Sequence, residues 1–99
     1  MDPPIVIREL VWDAWNRDHI GKHDVAIEDV EEVIHGDPIV RATYKQRLQL
    51  IGAKSDGTVL SVVMGPVPLQ PGCYYVFSAR RASRRERQLY FQQMGDSVL

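Results

Sequence analysis

Five arginines crowd the segment SARRASRRERQLY, residues 78–90, where Arg80, Arg81, Arg84, Arg85 and Arg87 share eight positions with one acid, Glu86. Guanidinium groups match the geometry of phosphate oxygens and stay charged at any physiological pH. A second group lies upstream in NRDHIGKHDV, where His19 and His23 are four apart and Lys22 precedes His23. Together these residue types cover what cleavage of RNA without a metal ion requires. A base must take the proton of a ribose 2′-hydroxyl, cations must stabilise the charge gathering on the phosphate, and an acid must return a proton to the leaving 5′-oxygen. Histidine suits the proton transfers and arginine the charge.

The same residues admit plainer uses. Five arginines also suit a solvated helix face, an acidic patch of the same chain or a protein partner, and their stems can cover apolar surface. His23 and His35 fall near expected helix ends, where a cation is favoured. His19 and His23 have the spacing of a metal pair on an unbroken helix, but no glutamate follows His19 as a zincin requires and no third ligand is evident, so neither metal nor cofactor is expected. A glycine-rich phosphate loop, a serine elbow and a carboxylate cluster for magnesium are all missing from the sequence.

The elements that must position these residues follow from periodicity. IVIRELVWD reads as a strand, with Ile5, Ile7 and Val11 on one face and Val6, Leu10 and Trp12 on the other, and Asp13 is a good N-cap for a helix over 14–20. Gly21 ends that helix. AIEDVEEVIH predicts a second, with Ile27, Val30, Val33 and Ile34 inward and Glu28, Asp29, Glu31 and Glu32 outward. From Arg41 the period becomes two, placing Tyr44, Gln46, Leu48 and Leu50 on one face of a strand, and Asp56-Gly57 predicts a hairpin into the apolar strand TVLSVVMG. After the proline-rich PVPLQPG, CYYVFSAR forms a strand that delivers Arg80 at its end. Ser83 and Glu86 fit a capping box, so the last helix starts at Arg84, presents Arg87, Tyr90, Phe91 and Met94 on one stripe and stops at Gly95. The order β-α-α-β-β-β-α predicts an α+β fold with helices packed on an antiparallel sheet.

One feature of that last helix runs against stability. Arg84 and Arg85 occupy its first turn, where the macrodipole already presents positive charge and cations cost a few tenths of a kcal/mol each, on the order of 0.3. An anion bound there would reverse the sign. Carboxylates of the acidic helix at 28–32 would do the same.

Composition bounds the rest. At 99 residues and 44% hydrophobic content, one globular domain, 1–99, is expected. No apolar run is long enough to span a bilayer, and MDPPIVIREL lacks the features of a signal peptide, so a cytoplasmic protein is expected. The lone Cys73 agrees with a reducing compartment. The net charge of -1 hides a polarity: residues 1–40 carry three basic and ten acidic side chains, residues 41–99 nine basic and three acidic. Such segregation suits one face for a polyanion and another that is acidic.

Taken together, the two basic segments resemble the BrnT family of bacterial toxins, metal-independent ribonucleases of RelE-like fold from type II toxin–antitoxin systems. WDAWNRDHIGKHDV is similar to the family's Trp/Phe-Asp start, asparagine and Lys-His pair before a valine. SARRASRRERQLY matches its Ser-Ala-Arg-x-Ala-x-x-x-Glu-Arg-x-x-Tyr through Ser78, Ala79, Arg80, Ala82, Glu86, Arg87 and Tyr90, and LQLIGAKSDGTVLSVVM resembles its strand, glycine turn and Val-Val strand. The resemblance implies a ribonuclease toxin that acts on RNA and is neutralised by a small antitoxin protein encoded nearby. Arg80 and Arg84 would hold the scissile phosphate, His23 would serve as base or acid, and Lys22, Arg81 and Arg85 would bind the flanking backbone. The chain departs from the family pattern at Asp24, where glycine is usual after Lys-His, and lacks two arginines, one near the end of the Val-Val strand, in MGPVPLQPG, and one at Tyr75. Those departures admit a second reading, a weakened or inactive member that binds RNA or protein without cutting.

Overall fold

The computed structural model describes residues 6–98, with side chains through residue 94. Its elements are β1 (Glu9–Val11), α1 (Ala14–Gly21), α2 (Ile27–His35), β2 (Ile39–Ala42), β3 (Leu48–Ala53), β4 (Val59–Pro66), β5 (Cys73–Arg81) and α3 (Arg84–Val98). One five-stranded sheet runs in the order β1-β5-β4-β3-β2. The expected α+β architecture of helices on a sheet holds, with four differences in detail.

First, the N-terminal strand is three residues long and pairs parallel to β5, Val11 opposite Tyr75, so the sheet is mixed. Ile7, Leu10 and Trp12 all pack against one core rather than alternating across it, and Ile5 lies outside the described residues. Second, the strand expected from Arg41 is two strands. Ile39–Ala42 pairs with β3, and between them Tyr44–Gln46 make a 3-10 turn with Lys45 and Gln46 in the left-handed region, at φ 59° and 61°. Third, β5 bulges against β4: Val63 faces Ser78 and Met64 faces Val76, leaving Phe77 as the extra residue. Fourth, α3 passes Gly95 and ends at Val98.

The sheet buries both faces, unequally. On one, α1 and α2 cover Leu50, Leu60, Val62, Met64, Val76 and Ala79 with Ile20, Val25, Val30, Val33 and Ile34. Most of these side chains are almost wholly excluded from water, and each fully buried Val, Leu or Ile contributes about 1.5–3 kcal/mol. On the other face α3 covers only one end, where Ile51, Val59, Ala82 and Tyr90 meet, with Leu89 and Met94 alongside. Among the described residues, no helix covers the remainder of that face. The Asp56-Gly57 hairpin forms as expected, Gly57 at φ 91° and Lys54 N–H bonded to the Thr58 carbonyl.

Two polar groups lock α1 to the sheet. Asp13 caps it, and a reciprocal pair joins Asp13 N–H to Asn16 Oδ1 at 2.8 Å and Asn16 N–H to Asp13 Oδ1 at 3.0 Å. The fully buried Asn16 amide then donates to the Val11 and Val76 carbonyls, at 2.9 and 3.1 Å. Among the described residues, no helix is long and apolar enough to cross a membrane.

Candidate functional site

Strand alternation decides where each arginine goes. Ala79 is buried under α1 and α2, so Arg80, one residue on and paired with Ser61, projects to the α3 face. Arg81 pairs with Leu60 and returns to the first face, where it is exposed.

On the α3 face, Arg80 meets Glu86. The capping box forms as the spacing predicts: Ser83 N–H donates to Glu86 Oε1 at 2.8 Å, and Glu86 N–H donates to Ser83 Oγ at 3.2 Å. The same carboxylate accepts both terminal nitrogens of Arg80, at 2.8 and 3.0 Å, and the Gln49 amide at 2.8 Å. Gln49 also donates to Ser61 Oγ at 2.9 Å. With four donors, Arg80 foremost, the Glu86 carboxyl is lowered from 4.5 to about 2, and Arg80 is raised in turn by the bond to Glu86. Glu86 is therefore an ionised hub, not simply a helix cap.

The other arginines differ from one another. Arg87 donates Nη1 to the Ala82 carbonyl at 2.8 Å, tying α3 back to the preceding turn; its partner is a carbonyl, not an acid, and the residue is exposed rather than packed. Arg84 is exposed. Arg85 lines an open cavity of about 460 Å³ with Arg41, Ser83, Glu86, Gln88, Leu89 and Gln92. Arg41 pairs with Gln49 and so shares its face. The acidic helix does not neutralise this cluster: Asp29 of α2 pairs with Lys54 at 3.1 Å and Glu32 accepts from Ser55 N–H. Among the described residues, the one carboxylate bonded to any of the five arginines is Glu86.

His23 and Lys22 lie elsewhere. They follow α1, which belongs to the opposite layer from Arg80's side chain. Lys22 pairs with Asp18 at 3.4 Å, both well exposed. His23 meets His19 edge-on at 5.9 Å, and His19 stacks on the exposed Trp15 at 4.8 Å. The structure thus joins Arg80 to Glu86 and sets Arg85 beside it, and it does not bring His23 to that pair. Among the described residues, no three His, Cys, Asp or Glu side chains come together as a metal site.

Three participants carry no motif in the sequence: Gln49, Ser61 and Arg41. Their signal is the strand phase opposite to the buried Leu50 and Val62, a polar phase masked where the turn at Tyr44–Gln46 interrupts the alternation. Arg47 stacks over Phe77 with its guanidinium carbon 3.7 Å from the ring centroid.

No family model matches the sequence, and no curated protein sequence does. The fold itself is shared with a solved protein. The crystal structure of the Brucella abortus ribonuclease toxin BrnT superposes with a TM-score of 0.61 and 28% identity, covering 77% of this chain and 97% of that one. This chain is BrnT-like, in divergent form. Its departures from the BrnT-like pattern now have positions. Asp24 occupies a left-handed conformation, φ 58°, which glycine adopts without strain and aspartate tolerates. Tyr75, which stands where an arginine is usual, donates its hydroxyl to Asp13 at 3.0 Å. Gly65, near the end of the Val-Val strand, lies under Phe77 and Arg47.

Proposed function

We propose that the chain is a toxin-type endoribonuclease, cytoplasmic, acting on RNA without a metal ion and held in check by a small antitoxin protein encoded beside it. What carries the reading is the Arg80–Glu86 pair on an open sheet face, flanked by cations that, among the described residues, have no acidic partner, in a fold shared with a ribonuclease toxin. A scissile phosphate seated among Arg80, Arg84 and Arg85 would draw Arg80 away from Glu86. The carboxylate would then lose its strongest stabilising partner, its proton affinity would rise, and it would become a competent base for the 2′-hydroxyl. That oxygen attacks phosphorus, the P–O5′ bond breaks to leave a 2′,3′-cyclic phosphate, the departing 5′-oxygen takes a proton from solvent water, and the arginines stabilise the charge on the non-bridging oxygens. Arg41, which lines the same cavity as Arg85, would hold the flanking backbone. Glu86 supplies the proton acceptor expected of His23, whose layer does not face the pair; Lys22 and Arg81 likewise stay outside this constellation.

The test is cleavage of RNA by the purified chain in EDTA. Arg80→Ala and Glu86→Gln should each abolish it, and His23→Ala should leave it intact. Full activity in Arg80→Ala removes the pair from the mechanism, and loss in His23→Ala returns the proton transfers to the histidine.

A second reading rests on one observation: Glu86 is held by four donors, so the pair is well satisfied without a substrate. That suits a chain that binds RNA or an acidic protein and does not cut. Expression in a bacterial host separates the two readings, since growth arrest supports the nuclease and a harmless, abundant product supports the binding module.

A further inference from the structure

The uncovered sheet face carries a second cluster, away from Glu86. Arg47, immediately before β3, has its guanidinium carbon 3.7 Å from the centroid of Phe77 and 5.7 Å from that of Tyr44. Lys45 lies 5.8 Å from the same Tyr44 ring. Tyr75 meets Phe77 edge-on at 5.1 Å. Gly65 makes the arrangement possible: a Cβ there would stand 3.0 Å from Phe77 Cε2 and 3.5 Å from Arg47 Cγ.

We infer that Tyr44, Arg47 and Phe77 form a grip for single-stranded RNA, one unpaired base stacking on Tyr44 and the adjoining phosphate taken by Arg47. The inference rests on the reading of the chain as an RNA-acting protein and names its substrate class. Tyr44 is 67% exposed, far more than a tyrosine with only a packing role. It is presented by a turn in which two consecutive residues, Lys45 and Gln46, hold left-handed backbone, a conformation that side-chain-bearing residues adopt at a cost and that clusters at binding sites. Arg47 is oriented by the two rings and, among the described residues, makes no hydrogen bond or ion pair with a carboxylate, so the N–H groups on its edge can meet phosphate oxygens while its face stays stacked. Aromatic rings interleaved with cations are the surface that grips a single strand, because an unpaired base exposes its face and a duplex does not.

The cluster also lies on the track of the proposed substrate. Gly65 is four residues from Ser61 along β4, and Ser61 pairs with Arg80. At roughly 3.3 Å per residue the grip sits about 13 Å from the Arg80 position along the same face, a span that a short single strand bridges. Two carboxylates border that track and both are engaged: Glu86 accepts from Arg80, and Asp13 accepts the hydroxyl of Tyr75.

Binding of a 2′-O-methyl RNA oligonucleotide, which lacks the attacking hydroxyl and stays intact, tests this on the full chain across a range of salt. The single strand should bind at least about tenfold more tightly than its blunt duplex. Tyr44→Ala should weaken single-strand binding by about tenfold and leave the salt dependence unchanged, a loss of stacking without loss of charge. Arg47→Ala should weaken binding and flatten the log–log salt slope by about 0.7, one phosphate; Arg47→Lys should restore the slope but not the full affinity. Equal binding of duplex, parental affinity in both alanine variants, or equal competition by a polyglutamate peptide of matched charge would overturn the grip. If the chain cleaves RNA but Tyr44→Ala and Arg47→Ala bind as the parent does, the grip fails alone. If the chain never cleaves RNA yet holds a single strand through Tyr44, the nuclease reading fails and the grip stands. No RNA binding by the parent chain sinks both.

Discussion

Arg80 and Glu86, six residues apart across the β5–α3 turn, meet through both guanidinium nitrogens and both carboxylate oxygens. The pair reverses what charge alone suggests for Arg80. Among five crowded arginines, removing one should relieve repulsion; here it strips a half-buried carboxylate of its first partner.

Thermal melts should therefore rank the arginines Arg80 first, Arg87 next and Arg84 last. Arg80→Ala should cost about 1–2 kcal/mol, the lower part of the range for a charged hydrogen bond because the Arg80 side chain is 44% exposed. Arg87→Ala gives up one bond to the Ala82 carbonyl, about 0.5–1 kcal/mol. Arg84→Ala should stay within about 0.5 kcal/mol of the parent, or gain slightly by removing a cation from the first turn of α3. In a domain of this size each kcal/mol lowers the melting temperature by roughly 4–8 °C. A silent Arg80→Ala would deny the pair any structural weight.

Acid should unfold the chain partly through Glu86. Its folded pKa of about 2 lies below the ordinary 4.5, so its stabilisation is complete above about pH 4.5 and is lost as the pH falls from there toward 2. Asp13, Asp29 and Asp56 are lowered as well, and act in parent and variant alike. Urea unfolding at pH 7 and pH 3 should show the parent losing more stability between the two than Glu86→Gln does. Equal losses would mean that Glu86 is not clamped in the folded chain.

Asn16 should prove structural. Its buried amide satisfies the Val11 and Val76 carbonyls and the Asp13 N–H, joining β1, β5 and α1 at one point. Asn16→Leu leaves those backbone groups without partners and should cost about 2–3 kcal/mol by denaturant titration. RNA binding measured on the folded fraction should be unchanged.

Asp24→Gly should stabilise. At φ 58° a glycine carries no Cβ penalty, and the gain, about 0.5 kcal/mol after the larger entropy loss of glycine on folding, should appear as a small upward shift of the melting temperature. A downward shift would mean that the aspartate side chain contributes more than its backbone strain removes.

Local chemistry was legible in the sequence because it acts over a few residues. The Ser83–Glu86 box, the Asp13 cap, the inward stripe Val30, Val33 and Ile34, and the Asp56-Gly57 hairpin each depend on neighbours within about one turn, and each formed as its spacing predicted. The resemblance carried by Ser78, Ala79, Arg80, Glu86, Arg87 and Tyr90 was equally local, and the shared fold agrees with it. What tertiary structure decided is everything set by register. Pairing of Arg80 with Ser61 sent that side chain to the α3 face and to Glu86, while α1, covering the opposite face, carried His23 and Lys22 away from it. Phe77, the extra residue of the bulge, lies under the Arg47 guanidinium, and a turn at Tyr44–Gln46, in place of a continuous strand, puts Tyr44 beside it. In a sheet one residue of register moves a side chain to the other face, and that choice is made by contacts between segments far apart in the chain, which no local pattern records.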